Sequence, residues 1–563
     1  MKKLLLITGI ALAIIASATY YIAGYSKIML GFFLASILIT SFYFFKLRTK
    51  TKLPFDKYDF FTVLILLLIF TPIYTAFIYT IPWQVNSDEV TIMAVAKNAA
   101  DNSQDPFGLS GHFGLPRFIF LAFGLLGKML GGINLLNMRT LHSIMGLTII
   151  ALSYFLFRIG ASKTFASAGA VILGSSHALL AISRMSMRDN TGLLIEVAAL
   201  TALLLGFQKK CPFYTFLGGL IAGLSFYTYY PGRITIILWG LFLVINTIFS
   251  RISFFELTKF AAIACLGFIM VSNLVILATI KAPENGMKYQ REQTLIFPEG
   301  RELAKQWYAK DTIAEGVKTS ISYGLTAFNN NVEDHGFIYP NKNHGFVDPL
   351  TGILIWLGLV IILLKPKLKD LELLTVIGFL LIWLMLAFIV NKSPNYTRLL
   401  VILPFIAFLA TDAINNICSI GCLKKINAGK ILFLLFVCII FFWNLGIFAD
   451  FAKKGFAGGN DIGGTARYIE KRKDITNYTF YIAESEQYPY YTWGKTWHEF
   501  FVGKDQRSKI VAPENMSIEN PPFTIFTSKN AWALFENQTR GSYQQLKIHN
   551  IKPDGSLIAV EVT

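Results

Sequence analysis

The fifteen residues RFIFLAFGLLGKMLG, positions 117–131, decide how the chain is threaded. They are apolar, but they are few, broken by glycines, and carry Lys128. A hydrocarbon core about 30 Å thick takes about 20 helical residues to cross. Thirteen other apolar runs lie around this segment: 4–23, 28–45, 60–79, 138–157, 164–182, 191–207, 213–229, 234–249, 258–280, 349–364, 371–390, 397–416 and 431–448. With Lys2 and Lys3 cytoplasmic, the cluster Lys46, Arg48, Lys50, Lys52 and Lys57 returns to that side after two crossings. The third run then leaves residues 80–116 outside. If 117–131 crossed, the later basic connectors would face outward: Arg158 with Lys163, Lys209 with Lys210, Arg251 with Lys259, Lys365 with Lys367 and Lys369, and Lys424 with Lys425. That violates the positive-inside rule. If 117–131 is re-entrant or interfacial, every one of them falls inside. The expectation is thirteen spans and an external C-terminus. The first run has a second reading, as a signal peptide ending at Ala16-Ser17-Ala18, which would leave twelve spans.

Composition agrees with a membrane protein. Of 563 residues, 54% are hydrophobic and 15% charged, with a mean hydropathy of +0.52, whereas a soluble chain carries about a quarter charged residues. The net charge of +17 fits short cytoplasmic loops, and no basic stripe with interleaved aromatics points to nucleic acid. The five cysteines, Cys211, Cys265, Cys418, Cys422 and Cys438, lie in or beside apolar runs, which excludes a disulfide framework or a closed zinc site. The expected organisation is a transmembrane hairpin over 1–55, a transmembrane domain over 56–450 with external loops 80–116 and 281–348, and a small external α/β domain over 451–563. In that last region Tyr478–Ala483, Lys509–Ala512, Phe523–Thr527 and Leu557–Val562 read as strands, and Thr465–Arg472 and Ala531–Gln538 as helices.

Charged residues gather at the external span ends. Asp88 and Glu89 open a helix where the dipole favours acids, with Ser87 or Asn86 as its cap; equally, either carboxylate there is a candidate general base. Arg184 and Arg188, four apart, share a face if helical and would clamp one phosphate; alternatively they reach lipid phosphates. Asp189 begins the next span, and Glu196 lies two turns deeper, an ionisable group within the apolar stretch. In Tyr229-Tyr230-Pro231-Gly232-Arg233 the proline and glycine break the helix and aim Arg233 from a turn, and Arg398 stands at another external span end. Arg117 and His112 are external as well. Glu333, Asp334 and His335 are either divalent-cation ligands or a surface turn; Asp348 caps its helix with Pro349 at the first position. His142 and His177 read as packing residues.

In order and on a common side, several motifs resemble those of the GT-C membrane glycosyltransferases, in the family 39-like branch that includes protein O-mannosyltransferases and the lipid A aminoarabinose transferase. They are Asp88-Glu89 after the first core span, Gly111 to Arg117, Ser183-Arg184 through Asp189, Tyr229 to Arg233, Asp348-Pro-Leu-Thr-Gly352, and Asn395-Tyr-Thr-Arg398 followed by Pro404. The resemblance covers roughly 55–450 and makes the hairpin an addition. It implies inverting transfer of a sugar from a polyprenyl-phosphate donor to a hydroxyl acceptor in the cell envelope, on the outer face of the cytoplasmic membrane. By that resemblance Asp88, Glu89 and Asp189 are catalytic, and Arg117, Arg184, Arg188, Arg233 and Arg398 hold the donor phosphate. Tyr229, Tyr230, His112, Glu333, Asp334 and His335 would contact substrate, and a divalent metal is an option without a clear ligand set. Two rivals remain at this stage. One is a transporter or flippase of a lipid-linked or anionic substrate, which predicts buried midplane charges and an internal repeat. The other is a polymerase or ligase using polyprenyl-diphosphate oligosaccharides.

Overall fold

A computed structural model describes residues 2–48, 53–82, 85, 87–102, 104–110, 114–328, 344–420 and 428–454, and, near the C-terminus, 479–483, 508–511, 523–528, 532, 546–550 and 557–562. The chain is a polytopic helical membrane protein. Among the described residues ten helices are long and apolar enough to cross a bilayer: α1 (Lys2–Ala23), α2 (Lys27–Lys46), α3 (Lys57–Thr75), α6 (Leu135–Gly160), α9 (Asn190–Gln208), α11 (Ile234–Ile248, with the turn before it), α12 (Phe254–Lys281), α18 (Asp370–Phe388), α19–α20 (Tyr396–Leu399 and Leu403–Cys418) and α21 (Ala428–Lys454). An eleventh is the pair α7 (Lys163–Ser175) and α8 (His177–Ser183), bent by 59°. The two remaining expected runs appear as the shorter apolar segments Pro212–Tyr227, which contains α10 (Pro212–Gly223), and α17 (Pro349–Leu363).

Ion pairs show how the deciding segment is threaded. At one end of the bundle Arg158, late in α6, meets Asp59, early in α3, at 2.8 Å. At the other end Arg139, early in α6, donates to the carbonyls of Ile78 and Pro82 beyond the C-terminus of α3. The helices α3 and α6 therefore run antiparallel. Everything between them, including α4 (Ser87–Asp101) and α5 (Arg117–Met129), begins and ends at one end. At 13 residues α5 is about 20 Å long, short of a crossing. It buries Ile119, Phe120 and Phe123 and leaves Leu125 and Met129 exposed, so it packs on one face only.

Three more of the basic residues assigned to the opposite end find acids there, while Lys424 and Lys425 lie outside the described residues. Lys163 meets Asp56 at 2.7 Å, Lys210 meets Glu256 at 2.7 Å, and Lys365 bridges Glu372 and Asp412 at 2.9 and 3.1 Å. The α1–α2 hairpin lies against α10 and α12: Phe44 stacks on Phe216 at 4.4 Å, and Lys281 donates to the Tyr20 carbonyl. Asp348 caps α17 through Thr351 as expected, and its other oxygen accepts from Asn444. His142 and His177 are fully buried.

The polar stretch after α12 folds into short helices: α13 (Pro283–Gly286), α14 (Lys288–Gln293), α15 (Pro298–Trp307) and α16 (Ile313–Leu325). Near the C-terminus, strands β1 (Thr479–Ala483), β2 (Ser508–Val511), β3 (Phe523–Ser528), β4 (Leu546–Asn550) and β5 (Leu557–Val562) form one sheet in the order β2-β1-β3-β5-β4. The first two pairings are parallel and the last two antiparallel. Four of these strands were legible in the sequence; β4, whose alternation runs only from Leu546 to His549, was missed. The helix expected at Thr465–Arg472 lies outside the described residues, as does all of Ala531–Gln538 except Trp532.

Candidate active site

The site is assembled from five segments at the bundle end that holds α4. Helix α4 presents Asp88, the 184–189 link presents Arg188 and Asp189, and the turn before α11 presents Tyr229 to Arg233. Short helix α14 adds Tyr289 and Gln293, and α19 adds Thr397 and Arg398. Two glycines bring the second and third together. A Cβ on Gly232 would stand 2.8 Å from Gly192 Cα, so the start of α9 and the turn pack backbone against backbone. That approach sets Tyr229 beneath Arg188, whose guanidinium lies 5.4 Å from the ring centroid.

Arg188 reaches Asp88 at 3.4 Å and sits beside Asp189. Burial works to lower the Arg188 pKa, but the field of Asp88 and then Asp189 carries it above its ordinary value. Burial raises the Asp189 pKa, with Arg188 pulling the other way and Thr397 hydrogen-bonded to it. Among the described residues Asp189 Oδ2 is buried without a hydrogen-bond partner. From here a polar chain runs through Tyr229, whose hydroxyl lies 3.3 Å from Thr397 Oγ1 and 3.4 Å from the Tyr289 hydroxyl. Arg398 donates to the Tyr289 hydroxyl at 3.4 Å and to Gln293. Tyr289 also stacks on Tyr230 at 4.7 Å, and Arg233 lies over the other aromatic neighbour of that stack, 4.2 Å from the Tyr230 centroid.

Two cavities meet at Tyr289. One, of about 240 Å³, runs between α11 and α18, lined by Ile234, Ile237, Ile382, Met385 and Leu386, with Arg233 and Arg398 at its head. Among the described residues the Nε atoms of both arginines are buried without a hydrogen-bond partner. The other, of about 680 Å³, lies along the α4 face formed by Thr91, Val95 and Asn98, and also holds Arg117 and Lys288. Asp88 is one turn before Thr91 on that face.

Several expected site residues are elsewhere or otherwise engaged. Residues 184–189 are not helical, so Arg184 and Arg188 do not share a face. Arg184 instead donates to the carbonyls of Ile73, Ala76 and Ile81, closing the end of α3. Glu89 is fully buried, holding Arg139 bidentately at 2.9 and 3.0 Å and accepting from the Ser186 amide at 2.8 Å. Arg117 lines the polar cavity and not the arginine-headed groove. Glu196 is fully buried, and neither of its oxygens has a hydrogen-bond partner among the described residues. His112, Glu333, Asp334 and His335 lie outside the described residues. Among the described residues no three His, Cys, Asp or Glu side chains cluster as a metal site.

Sequence reasoning missed Arg139, Tyr289, Gln293 and Thr397. Arg139 carried a usable signal, a charge in the first turns of an apolar run. The other three are ordinary polar residues, Tyr289 and Gln293 in the short helix α14 and Thr397 in α19, placed only by tertiary packing.

No family model matches the sequence, and no curated protein matches it. Solved structures do. The oligosaccharyltransferase of Archaeoglobus fulgidus aligns over 89% of this chain and 74% of its own at 12% identity and a TM-score of 0.49. ArnT from Cupriavidus metallidurans, solved bound to undecaprenyl phosphate, aligns over 89% of this chain and 97% of its own at 13% identity, with a TM-score of 0.51. Its apo form gives 90%, 97%, 13% and 0.50. At such identity it is the fold that is shared, over nearly the whole of both chains. The architecture expected from the motifs is thus the one observed: this chain has the fold of the GT-C membrane glycosyltransferases.

Proposed function

We propose that the protein is an inverting glycosyltransferase that moves a sugar from a polyprenyl-phosphate donor to a hydroxyl acceptor of the cell envelope. In this proposal it works at the outer face of the cytoplasmic membrane. The observation that carries the proposal is the meeting of two unlike cavities at Tyr289, one apolar with two arginines at its head, the other more polar and lying along the α4 face one turn beyond Asp88. An apolar groove ending in cations suits a lipid tail with a phosphate at its head. The neighbouring ArnT structure, with undecaprenyl phosphate bound, supports the same donor class.

In the proposed reaction Asp88 accepts the proton of the acceptor hydroxyl as its oxygen forms a bond to the anomeric carbon. The bond from that carbon to the phosphate oxygen breaks, and the electron pair leaves on polyprenyl phosphate. Arg233 and Arg398 stabilise the growing negative charge. Arg188 holds Asp88 in place, and Asp189 and Tyr229 hold Arg188. Glu89 is a positioning residue: through Arg139 it fixes the first turn of α4.

The test is donor binding. Arg398→Ala should weaken polyprenyl-phosphate binding by tenfold or more, and Ile237→Trp, which fills the groove, should do the same without touching a charge. If neither substitution changes binding, the groove is not the donor site and the proposal fails.

A further inference from the structure

Resting on that proposed function, we infer that the larger cavity is the acceptor site and that its occupant is an acidic glycan, a carbohydrate bearing a carboxylate or phosphate. Its volume of about 680 Å³ falls among small-molecule sites, which run from about 300 to 1,000 Å³. Its walls combine Val95, Ala99, Leu109 and Tyr289 with amides and hydroxyls: Asn98 and Thr91 from α4, Gln104 and Ser110 beyond it, and Asn285 from α13. Amides and hydroxyls offer both donors and acceptors, which is what recognition of several sugar hydroxyls needs.

The charge arrangement adds the anion. Among the described residues Arg117 makes no ion pair and its guanidinium no hydrogen bond. The nearest acid on its loop, Asp105, is held by the Tyr20 hydroxyl at 2.8 Å through Oδ2 and by the Phe107 amide through Oδ1. Lys288 and Glu292, also in the wall, pair with one another loosely at 3.9 Å. Among the described residues Arg117 is therefore a half-buried cation, near Asp105 but with its guanidinium donors left to a ligand, and a guanidinium takes carboxylate or phosphate bidentately.

The cavity rim is preformed. The Arg117 amide donates to the Gly108 carbonyl at 2.9 Å and the Ser110 amide to the Leu115 carbonyl at 2.7 Å. Gly114, at φ +66°, passes so near the Asn285 carbonyl that a Cβ would stand 2.5 Å away. That glycine joins the stretch before α5 to α13. The Tyr20–Asp105 bond ties the same stretch to the first helix, so the hairpin steadies the mouth of the cavity. An anionic group on Arg117 would then lay a sugar hydroxyl along the α4 face toward Asp88.

The experiment uses the full chain in detergent micelles. Three probes are titrated, a uronic-acid disaccharide, a disaccharide monophosphate and the neutral parent disaccharide, with polyprenyl phosphate binding measured in parallel. At least one acidic sugar should bind tenfold or more tighter than the neutral one, and the preferred probe identifies the anion. Arg117→Gln should abolish that preference and leave polyprenyl phosphate binding unchanged. Should Arg117→Gln not fold, Lys288→Gln, at a largely exposed side chain, is the second variant, expected to weaken acidic-sugar binding about threefold. Equal binding of acidic and neutral sugars, no sugar binding, or a preference that survives Arg117→Gln overturns the inference. Acidic-sugar binding without polyprenyl phosphate binding would remove the donor assignment and leave this one standing.

Discussion

The Glu89–Arg139 pair makes the most quantitative demand on the structure. Both side chains are fully excluded from solvent, joined by two hydrogen bonds of 2.9 and 3.0 Å. Arg139 also serves the carbonyls of Ile78, Tyr79 and Pro82, and Glu89 the Ser186 amide. Replacing either partner alone leaves an uncompensated buried charge, which costs about 3–5 kcal/mol. For a chain of this size that lowers the detergent-solubilised melting temperature by about 3–4 °C. Replacing both with methionine removes the charges, but strands the Ser186 amide and three carbonyls, each costing about 1–3 kcal/mol if unmet by water. The double variant should therefore recover only part of the loss. Thermal unfolding of Glu89→Met, Arg139→Met and the double variant, followed by tryptophan fluorescence in one detergent, reads all three. Single variants that melt with the wild type would refute the buried pair, and full recovery in the double variant would refute the backbone contacts.

Four further outcomes are expected. Lys392, whose pKa burial and then Arg398 push down to about 8, sits 4.2 Å over the Trp307 ring. It is charged below that pH and neutral above it, so polyprenyl-phosphate affinity should fall between pH 7 and 9, and Lys392→Met should flatten the profile; an unchanged profile contradicts its contribution. Gly232→Ala pushes on Gly192 Cα at 2.8 Å, and such overpacking costs about 1–3 kcal/mol; transfer should drop with it, and normal turnover would show that the turn yields. Glu196→Met relieves a buried carboxyl whose two oxygens lack partners and should leave melting unchanged or raise it, whereas lost transfer with normal folding would give Glu196 a function. Lys365→Met strands Glu372 and Asp412 at the far end of the bundle, so it should lower stability while per-folded-molecule activity holds; selective loss of activity would contradict that separation.

The fold was legible because span length and loop charge are local quantities. Lys128 and the glycines marked α5 as too weak to cross, and Asp59 with Arg158 and Glu89 with Arg139 now show why the parity holds. The site was legible in part. Asp88, Arg188, Asp189, Tyr229, Tyr230, Arg233 and Arg398 do converge, because charged residues at span ends on one side have few places to go. Spacing alone misjudged Arg184, since a four-residue offset implies a shared face only in a helix, and the 184–189 link is not one. It also could not separate Asp88 from Glu89. Adjacent helical residues point about 100° apart, so one reaches the cavity face while the other is driven into the bundle against Arg139. Tyr289, the residue common to both cavities, lies in a polar loop with no periodicity to announce it.

The most direct test of the proposed chemistry is release of polyprenyl phosphate from polyprenyl-phosphate sugars by purified protein with envelope extract as acceptor, comparing wild type with Asp88→Asn at equal fold and equal donor binding. Asparagine keeps the shape and the contact with Arg188 but cannot take the proton, so release should fall by about 10²–10⁴. Near-normal release by Asp88→Asn would contradict the assignment of Asp88 as the base.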